Sequence, residues 1–560
     1  MSALHNPTHS PSKHPFDLSH RKIFTAKAGE LLPILCEEVI PNDYFEIDTA
    51  SLIRSCQPLQ TAAFMRCKVC FDFFFVPSTA IWSNFNAFYT QRQQQTSSLL
   101  KDSAYEPNMT LYDLYECCMN DNSAHLNARL KTLELLGYGH WYGYNSNPFG
   151  QNGPLAAIGN KSLSILPIGG YNLIYNMHYR NAWRDVPTSD DRMTYNLDWL
   201  SCSSYMASLA YDGDFVKPFV NLHRHGWPSD LFMGSMPNSQ FGTVSTVDSS
   251  QVNPAFVHVY LADNLNDVYA PLEGKKQSST SDTFMVRQNQ STGSTLTVTS
   301  VKTQFDVVAL RKAMAFQKWK EQNARAGWKL DKQMKAMFGV DTPKDRKHEI
   351  DHIASYECPI MVDEVVSTAD TNTGSLGELG GKAIAVKNGE KVKFSADERH
   401  GYLYCICYIM PQTEYDAVGI DPMLVRSEPF DRFTPAFENI QMKAIQKFML
   451  NAGGDPSKFS NDLGYAPGYF EYKTKTDKVY CNFVGSSGQL RHWVTPRIDL
   501  ETISNLASIP TEYFYVSPSV LDNVFAMQAD DSLTTDQFML NVNFITKATR
   551  GMSVVGLPSL

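Results

Sequence analysis

Charge is scarce in this chain. Asp, Glu, Lys and Arg make up 19% of its 560 residues, against 43% hydrophobic and 12% aromatic residues. That balance excludes a disordered tail or a coiled coil and demands a large buried core. Cationic excess is missing too. With a formal net charge of −9, the chain as a whole is no electrostatic binder of nucleic acid or anionic membrane, so any such contact must be local. Long apolar runs are absent. The longest, Tyr402 to Met410, falls far short of the ~20 residues a spanning helix requires, which implies no membrane insertion. The opening MSALHNPTHSPSKHPFDLSH has no continuous apolar h-region, and the expectation is a protein made and folded in a cytosol. No tandem repeat is present, which counts against solenoids and propellers.

Complete catalytic signatures are lacking as well. There is no GxSxG, and no GxGxxG follows a strand and opens a helix. In GELGGK a phosphate-loop pattern fails twice, with Leu376 at the first glycine position and Ala383 where Ser or Thr would hold Mg²⁺. His348-Glu349-Ile350-Asp351-His352 is a literal HExxH; on a helix it would put two imidazoles on one face for zinc, with Glu349 as general base. Pro343 and Pro359 flank it, the neighbouring residues lack an apolar face, and no HxxGxxH third-ligand pattern follows. A charged surface loop is the expected reading. His223 and His225 in NLHRHGW have no Cys or acidic partner at ligand spacing, so surface or interface histidines are expected. Neither metal, cofactor nor enzyme activity is predicted.

Eleven cysteines, an odd count in a long chain, fit free thiols better than a disulfide framework. Cys67 and Cys70 form a CxxC inside the alternating run Ala63 to Val76. An odd spacing on a strand puts the two thiols on opposite faces, where they can neither pair nor share a metal.

What the sequence does contain is strand pattern scattered from one end to the other: Leu32 to Val39, Ala63 to Val76, Ala255 to Leu261, Thr295 to Lys302, Tyr402 to Met410, Lys478 to Val484, Glu512 to Val516 and Phe538 to Ile545. This distribution predicts an antiparallel all-β body. A few helices interrupt it. Thr79 to Arg92 carries Ile81, Phe85, Phe88 and Tyr89 on one face, and Leu126, Leu130 and Leu133 repeat this before Gly137. A helix pair is predicted over 303–340, capped by Thr303 and Asp306 and striped by Val307, Leu310 and Met314. Residues 234–300 and 368–381 are polar and loop-like. From Lys302 to Lys347 twelve Lys and Arg stand against five acids, with Trp319 and Trp328 interleaved. Such a patch can contact phosphates and stack bases, or it can solvate a helix face or meet an acidic neighbouring subunit.

Several segments together resemble the major capsid proteins of microviruses, small icosahedral single-stranded DNA bacteriophages, and within them the gokushovirus-like branch. They are FDLSH (Phe16 to His20), EEVIPND (Glu37 to Asp43), FFFVPSTAIWSNF (Phe73 to Phe85), WPSDLFMGSMPNSQ (Trp227 to Gln240) and the run Phe305 to Val340. SLGELGGKA (Ser375 to Ala383), HGYLYCICYIMPQTEY (His400 to Tyr415), LGYAPGYFEYK (Leu463 to Lys473) and the C-terminal FITKATRGMSVVGLPSL continue the series. Their order is collinear over nearly the whole chain.

The resemblance implies an eight-stranded antiparallel jelly roll, the viral coat β-sandwich, with long loop insertions. It implies one subunit over 1–560 with an N-terminal arm over about 1–30, the 234–300 insertion projecting from the outer surface, and sixty copies in a T=1 shell. The implied partners are a circular single-stranded DNA genome, a small basic DNA-packaging protein, scaffold, spike or pilot proteins, and a host surface receptor. The product is a virion component assembled in a bacterial cytoplasm. Lys13, His20, Arg21 and Lys22 are the candidate DNA-facing cations. The alternatives are a free jelly-roll carbohydrate-binding protein and an HExxH zinc metalloprotease.

Overall fold

A computed structural model of the chain describes residues 12–56, 59–64, 66–83, 85–90, 106–119, 125–144, 146–151, 153–181, 184, 220–239, 274–278, 281–286, 307–326, 330–340, 350–366, 379–388, 391–437, 442–452, 462–484, 489–494, 511–525 and 528–554. The chain divides into two compact units, residues 1–239 with 342–560, and residues 240–341.

The first unit is built on ten strands: β1 His14–Asp17, β2 His20–Ala26, β3 Leu32–Val39, β4 Tyr44–Ser55, β5 Cys67–Pro77, β6 Asp351–Val366, β7 Leu379–Asn388, β8 Val392–Ser395, β9 Gly401–Pro411 and β10 Phe538–Arg550. All pair antiparallel along one path, β1-β10-β4-β7-β6-β5-β9-β3, with β2 also on β10 and β8 also on β4. In chain order the strands cross back and forth between two halves of this path. β2, β4, β7 and β10 form one half; β3, β5, β6 and β9 form the other. This is jelly-roll winding, closed by the β6–β7 pairing.

Alternation explains why the sheet curls. β10 buries Phe538, Leu540, Val542, Phe544, Thr546 and Ala548 and turns the residues between them outward. With Phe45, Ile47 and Ile53 of β4 these meet Val69, Phe71, Phe73 and Phe75 of β5 and Leu403, Cys405, Cys407 and Ile409 of β9 in one core. Each such side chain contributes roughly 1.5–3 kcal/mol on leaving water. β9 is apolar on both faces, and so is β5 apart from Lys68 and Asp72. Their other faces, Phe74, Val76, Tyr404 and Ile406, pack a second core with Ile81, Trp82, Leu114, Leu130, Leu133, Leu166 and Tyr171. The β5–β6 connection therefore supplies helices α1 Leu111–Met119, α2 Leu126–Leu136 and α3 Leu166–Ile174 that roof this half. α2 stops at Gly137, whose φ of 98° lets its amide reach the Glu134 and Leu133 carbonyls.

A buried ion network ties these layers. Lys131 of α2 reaches Glu30 at 2.8 Å and Asp536 at 3.1 Å, and Lys27 reaches Asp536 at 3.0 Å. All four side chains are at most 6% exposed. In the second unit, strands Gly274–Ser278 and Ser281–Val286 form a hairpin, and helices α4 Val307–Ala326 and α5 Leu330–Phe338 pack on each other.

Several expectations need correction. The segment expected as an arm is strand from His14 onward, because β1 and β2 complete the edge beside β10. The helix expected over 79–92 is broken into Ser78–Ile81 and Phe85–Tyr89, with buried Trp82 in extended conformation at the break. Glu512 to Val516 is a 3₁₀ turn at Thr511–Phe514, since Phe514 and Val516 plug the core singly. Lys478 to Val484 keeps only Lys478–Val479 as strand. Gly380 and Gly381 of GELGGK lie in β7, where a Cβ on Gly381 would collide with the Thr61 carbonyl. The expected strands Ala255 to Leu261 and Thr295 to Lys302 and the cap at Thr303 and Asp306 lie outside the described residues. Every described cysteine is a free thiol, and burial pushes Cys70 up to about 12.

Candidate nucleic-acid and assembly interface

The alternation of β2 separates the four candidate cations. Arg21 and Ile23 face outward, Ile23 being 64% exposed, while His20, Lys22 and Phe24 turn toward the packed side. Lys13 is exposed and donates to the Asn42 carbonyl at 3.1 Å. The His20 ring lies 5.4 Å from that of Phe544, with Nδ1 3.0 Å from the Leu18 carbonyl. Lys22 is committed inward. It donates to the Leu135 carbonyl at the end of α2 (3.2 Å), and burial lowers its pKa. Arg21 and Lys22 therefore serve opposite faces.

Sequence reading missed the surface on which Arg21 sits. Cross-strand partners align outward residues of the β2–β10–β4–β7 half, with Met361 of neighbouring β6, in rows: Met361, Ile384, Arg54, Met539 and Thr25; Val386, Leu52, Asn541 and Ile23; Ala50, Asn543 and Arg21. None of these three rows carries a carboxylate. Met361, Val386, Ile23 and Met539 are exposed on it. The strict alternation of β10 was the available signal for this face.

The decoy motifs resolve differently. His348 and Glu349 lie outside the described residues, Ile350 is buried, and Asp351 and His352 open strand β6 rather than a surface loop. Asp351 pairs with Arg399 at 2.7 Å, and the His352 ring sits 5.1 Å from Phe74. With Asp351 and His352 in a strand, the motif's second half lacks the helical turn that brings an i, i+4 imidazole pair within reach of one zinc ion. Among the described residues no group of His, Cys, Asp or Glu is placed to hold a metal.

His223 and His225 are not surface residues but partly buried ones. His223 stacks on Tyr175 at 3.8 Å, nearly parallel, with Nε2 2.9 Å from Asn172 Oδ1; His225 stacks on Tyr408 at 4.5 Å. Burial drives His223 down to about 3. Because the folded pKa is depressed, the unfolded chain takes up protons first, and stability is lost as pH falls below ~6.5 toward that folded value. We predict that the urea midpoint drops between pH 7.5 and 5 and that His223→Gln removes part of this drop. Comparing the two proteins cancels Asp43, Asp522 and Asp531, which burial shifts upward and which act in the opposite direction. An identical drop in both proteins refutes the assignment.

A β-sandwich with one sheet roofed by its own insertion and the other, among the described residues, presenting apolar side chains in open rows defines a subunit built for tiling against other molecules. The chain belongs to the capsid protein (F protein) family, whose model matches residues 5–112 and 142–560. It is 23% identical to the capsid protein VP1 of Chlamydia phage 1, over 99% of this chain and 96% of that one. It is 22% identical to VP1 of Bdellovibrio phage phiMH2K (92% and 88% covered) and 20% identical to VP1 of Spiroplasma virus 4 (97% and 94%). It is a structural capsid protein of the microvirus type, in a family not known as enzymes, and self-assembles into a multi-copy shell as a virion component. No helix among the described residues is long and apolar enough to cross a membrane.

Proposed function

We propose that sixty copies of this chain close a T=1 shell around a circular single-stranded DNA genome, with assembly in the bacterial cytoplasm. Three neighbouring outward rows that hold no carboxylate, set apart from Glu46 and Asp48 further along β4, carry this reading. A surface with Arg21, Arg54 and two asparagines but no acid in its rows suits a polyanion, whereas an acidic chain of net charge −9 would otherwise repel one. Lys13 and Arg21 are the phosphate contacts and His20 borders them; Lys22, held at the Leu135 carbonyl, is left out of the set. A small basic packaging protein supplies the remaining neutralisation, and scaffold, spike or pilot proteins complete the particle. Residues 234–300 face outward toward a host surface receptor, a reading supported by their polar composition and by family likeness.

Electron microscopy of the protein expressed with its neighbouring phage genes tests the reading. Uniform small icosahedra containing DNA are expected, and Arg21→Glu is expected to package less DNA at unchanged particle yield. Only monomers under every assembly-permissive condition would sink it.

A further inference from the structure

Helix α4 leaves apolar side chains in the open. Phe316 and Trp319 are 52% and 47% exposed, and their rings stack on each other at 5.5 Å and 13°. Lys320 lies 4.7 Å over the Phe316 ring. Lys312, Phe316, Trp319 and Lys320 follow the i, i+4, i+7, i+8 spacing of a single helix face. Leu310 and Met314, on the other side, are exposed as well. A helix this apolar in water is covered in its working state.

We propose that this face of α4 docks on a second copy of the chain, against the outer strip of β6 from Met361 to Val365. Charge selects the partner. Residues 302–347 carry 12 Lys and Arg against 5 acids, so the remaining residues carry 37 against 53, a formal −16. Every other copy therefore presents a net acidic body to this cationic helix. The β6 strip matches it in kind: Met361 and Val365 are 65% and 48% exposed, and the exposed carboxylates Asp363 and Glu364 lie between them. Its apolar pair takes Phe316 and Trp319, and its acids take Lys312 and Lys320. Aromatic and Met anchors bordered by complementary charge are what protein interfaces select. The inference rests on the shell reading above and names one of its contacts.

Two measurements test it together. The triple variant Lys312→Glu, Trp319→Ala, Lys320→Glu is expected to lower shell yield roughly tenfold or more while circular dichroism and urea midpoint of the subunit stay unchanged. In a Cys481→Ser background, the pair Lys320→Cys with Asp363→Cys is expected to give covalent multimers on oxidation, while each of the two added cysteines alone gives none beyond the Cys481→Ser background. An internal cross-link only, or no cross-link in concentrated subunits, overturns the proposal. So does normal shell yield from the triple variant, and if such shells are empty of DNA the helix is a nucleic-acid face instead. Failure of the unmodified protein to form shells is read separately, against the shell assignment, while the cross-link still decides the contact.

Discussion

Lys131→Met lowers the stability of the subunit by about 3–5 kcal/mol, the usual cost of removing one partner from a buried ion pair. Lys131 rises from α2 between Glu30 at 2.8 Å and Asp536 at 3.1 Å, and no member of the group is more than 6% exposed. With Lys27 the set is neutral, two cations against two carboxylates. Methionine fills most of the lysine volume, so the loss measured is electrostatic rather than a cavity. It leaves a buried net negative charge, since within the network only Lys27, on Asp536 at 3.0 Å, then faces two acids. Burial alone would lower the pKa of Lys131; its two carboxylates outweigh this and raise it. A raised lysine pKa means that the contribution is complete below pH ~10.4 and is lost only as pH climbs through the folded value. Urea unfolding at pH 7.5 should show the full loss. Adding Glu30→Gln to Lys131→Met restores neutrality and should recover more than half of it. If the single variant unfolds at the wild-type urea concentration, the network is not what joins α2 to the β2–β3 turn and to the approach to β10.

The same contacts show why parts of the fold are legible in sequence and others are not. β3, β5 and β9 read correctly because FDFFFV and YLYCICYIM are long apolar runs buried on both faces, interrupted only by Asp72, whose carboxylate accepts from the Tyr179 hydroxyl at 2.7 Å. β4 escaped because Glu46, Asp48 and Arg54 punctuate it, and Thr49 and Ser51 occupy inward positions. β6 escaped because charged residues open it and Pro359 interrupts it. Its strand identity comes from pairing with β5, where Tyr356 stacks on Phe71 at 4.8 Å. β2 looked like a cationic arm because its partner, β10, lies some five hundred residues away in sequence. The candidate interface shares this problem. Its rows draw one residue from each of three to five strands, and no local pattern brings Val386, Leu52, Asn541 and Ile23 together. Lys22 illustrates the limit in one residue, being adjacent to Arg21 in sequence and on the opposite side of the sheet in space.

Asp230→Ala is expected to cost about 2–4 kcal/mol, because it strands several buried donors at once. Asp230 sits in the WPSDLFMGSM segment, and its Oδ1 accepts the amides of Phe232 at 2.9 Å and Met233 at 2.8 Å, fixing the turn. Oδ2 accepts the hydroxyls of Tyr415 at 2.7 Å and Thr413 at 3.1 Å. Those two residues end the HGYLYCICYIMPQTEY segment that carries β9, so one carboxylate joins two of the stretches by which the family is recognised. Tyr415 is 2% exposed, and its ring meets Phe232 edge-on at 5.1 Å. Neither burial nor the neighbouring carboxylate favours the phenolate, and its pKa is pushed up accordingly. The phenol thus remains a donor throughout the pH range in which the protein folds. Asp230→Asn keeps the shape and an acceptor oxygen but replaces the other with a donor, which cannot accept from Tyr415 or Thr413; it should lose about half as much as alanine. Tyr415→Phe should lose ~1.5–3 kcal/mol, the price of one charge-assisted bond. In the Asp230→Ala background the added Tyr415→Phe should cost less than it does alone, or stabilise, because the orphaned hydroxyl is gone. Strictly additive losses in that double-mutant cycle, measured by urea unfolding, would show that the two segments do not communicate through this carboxylate.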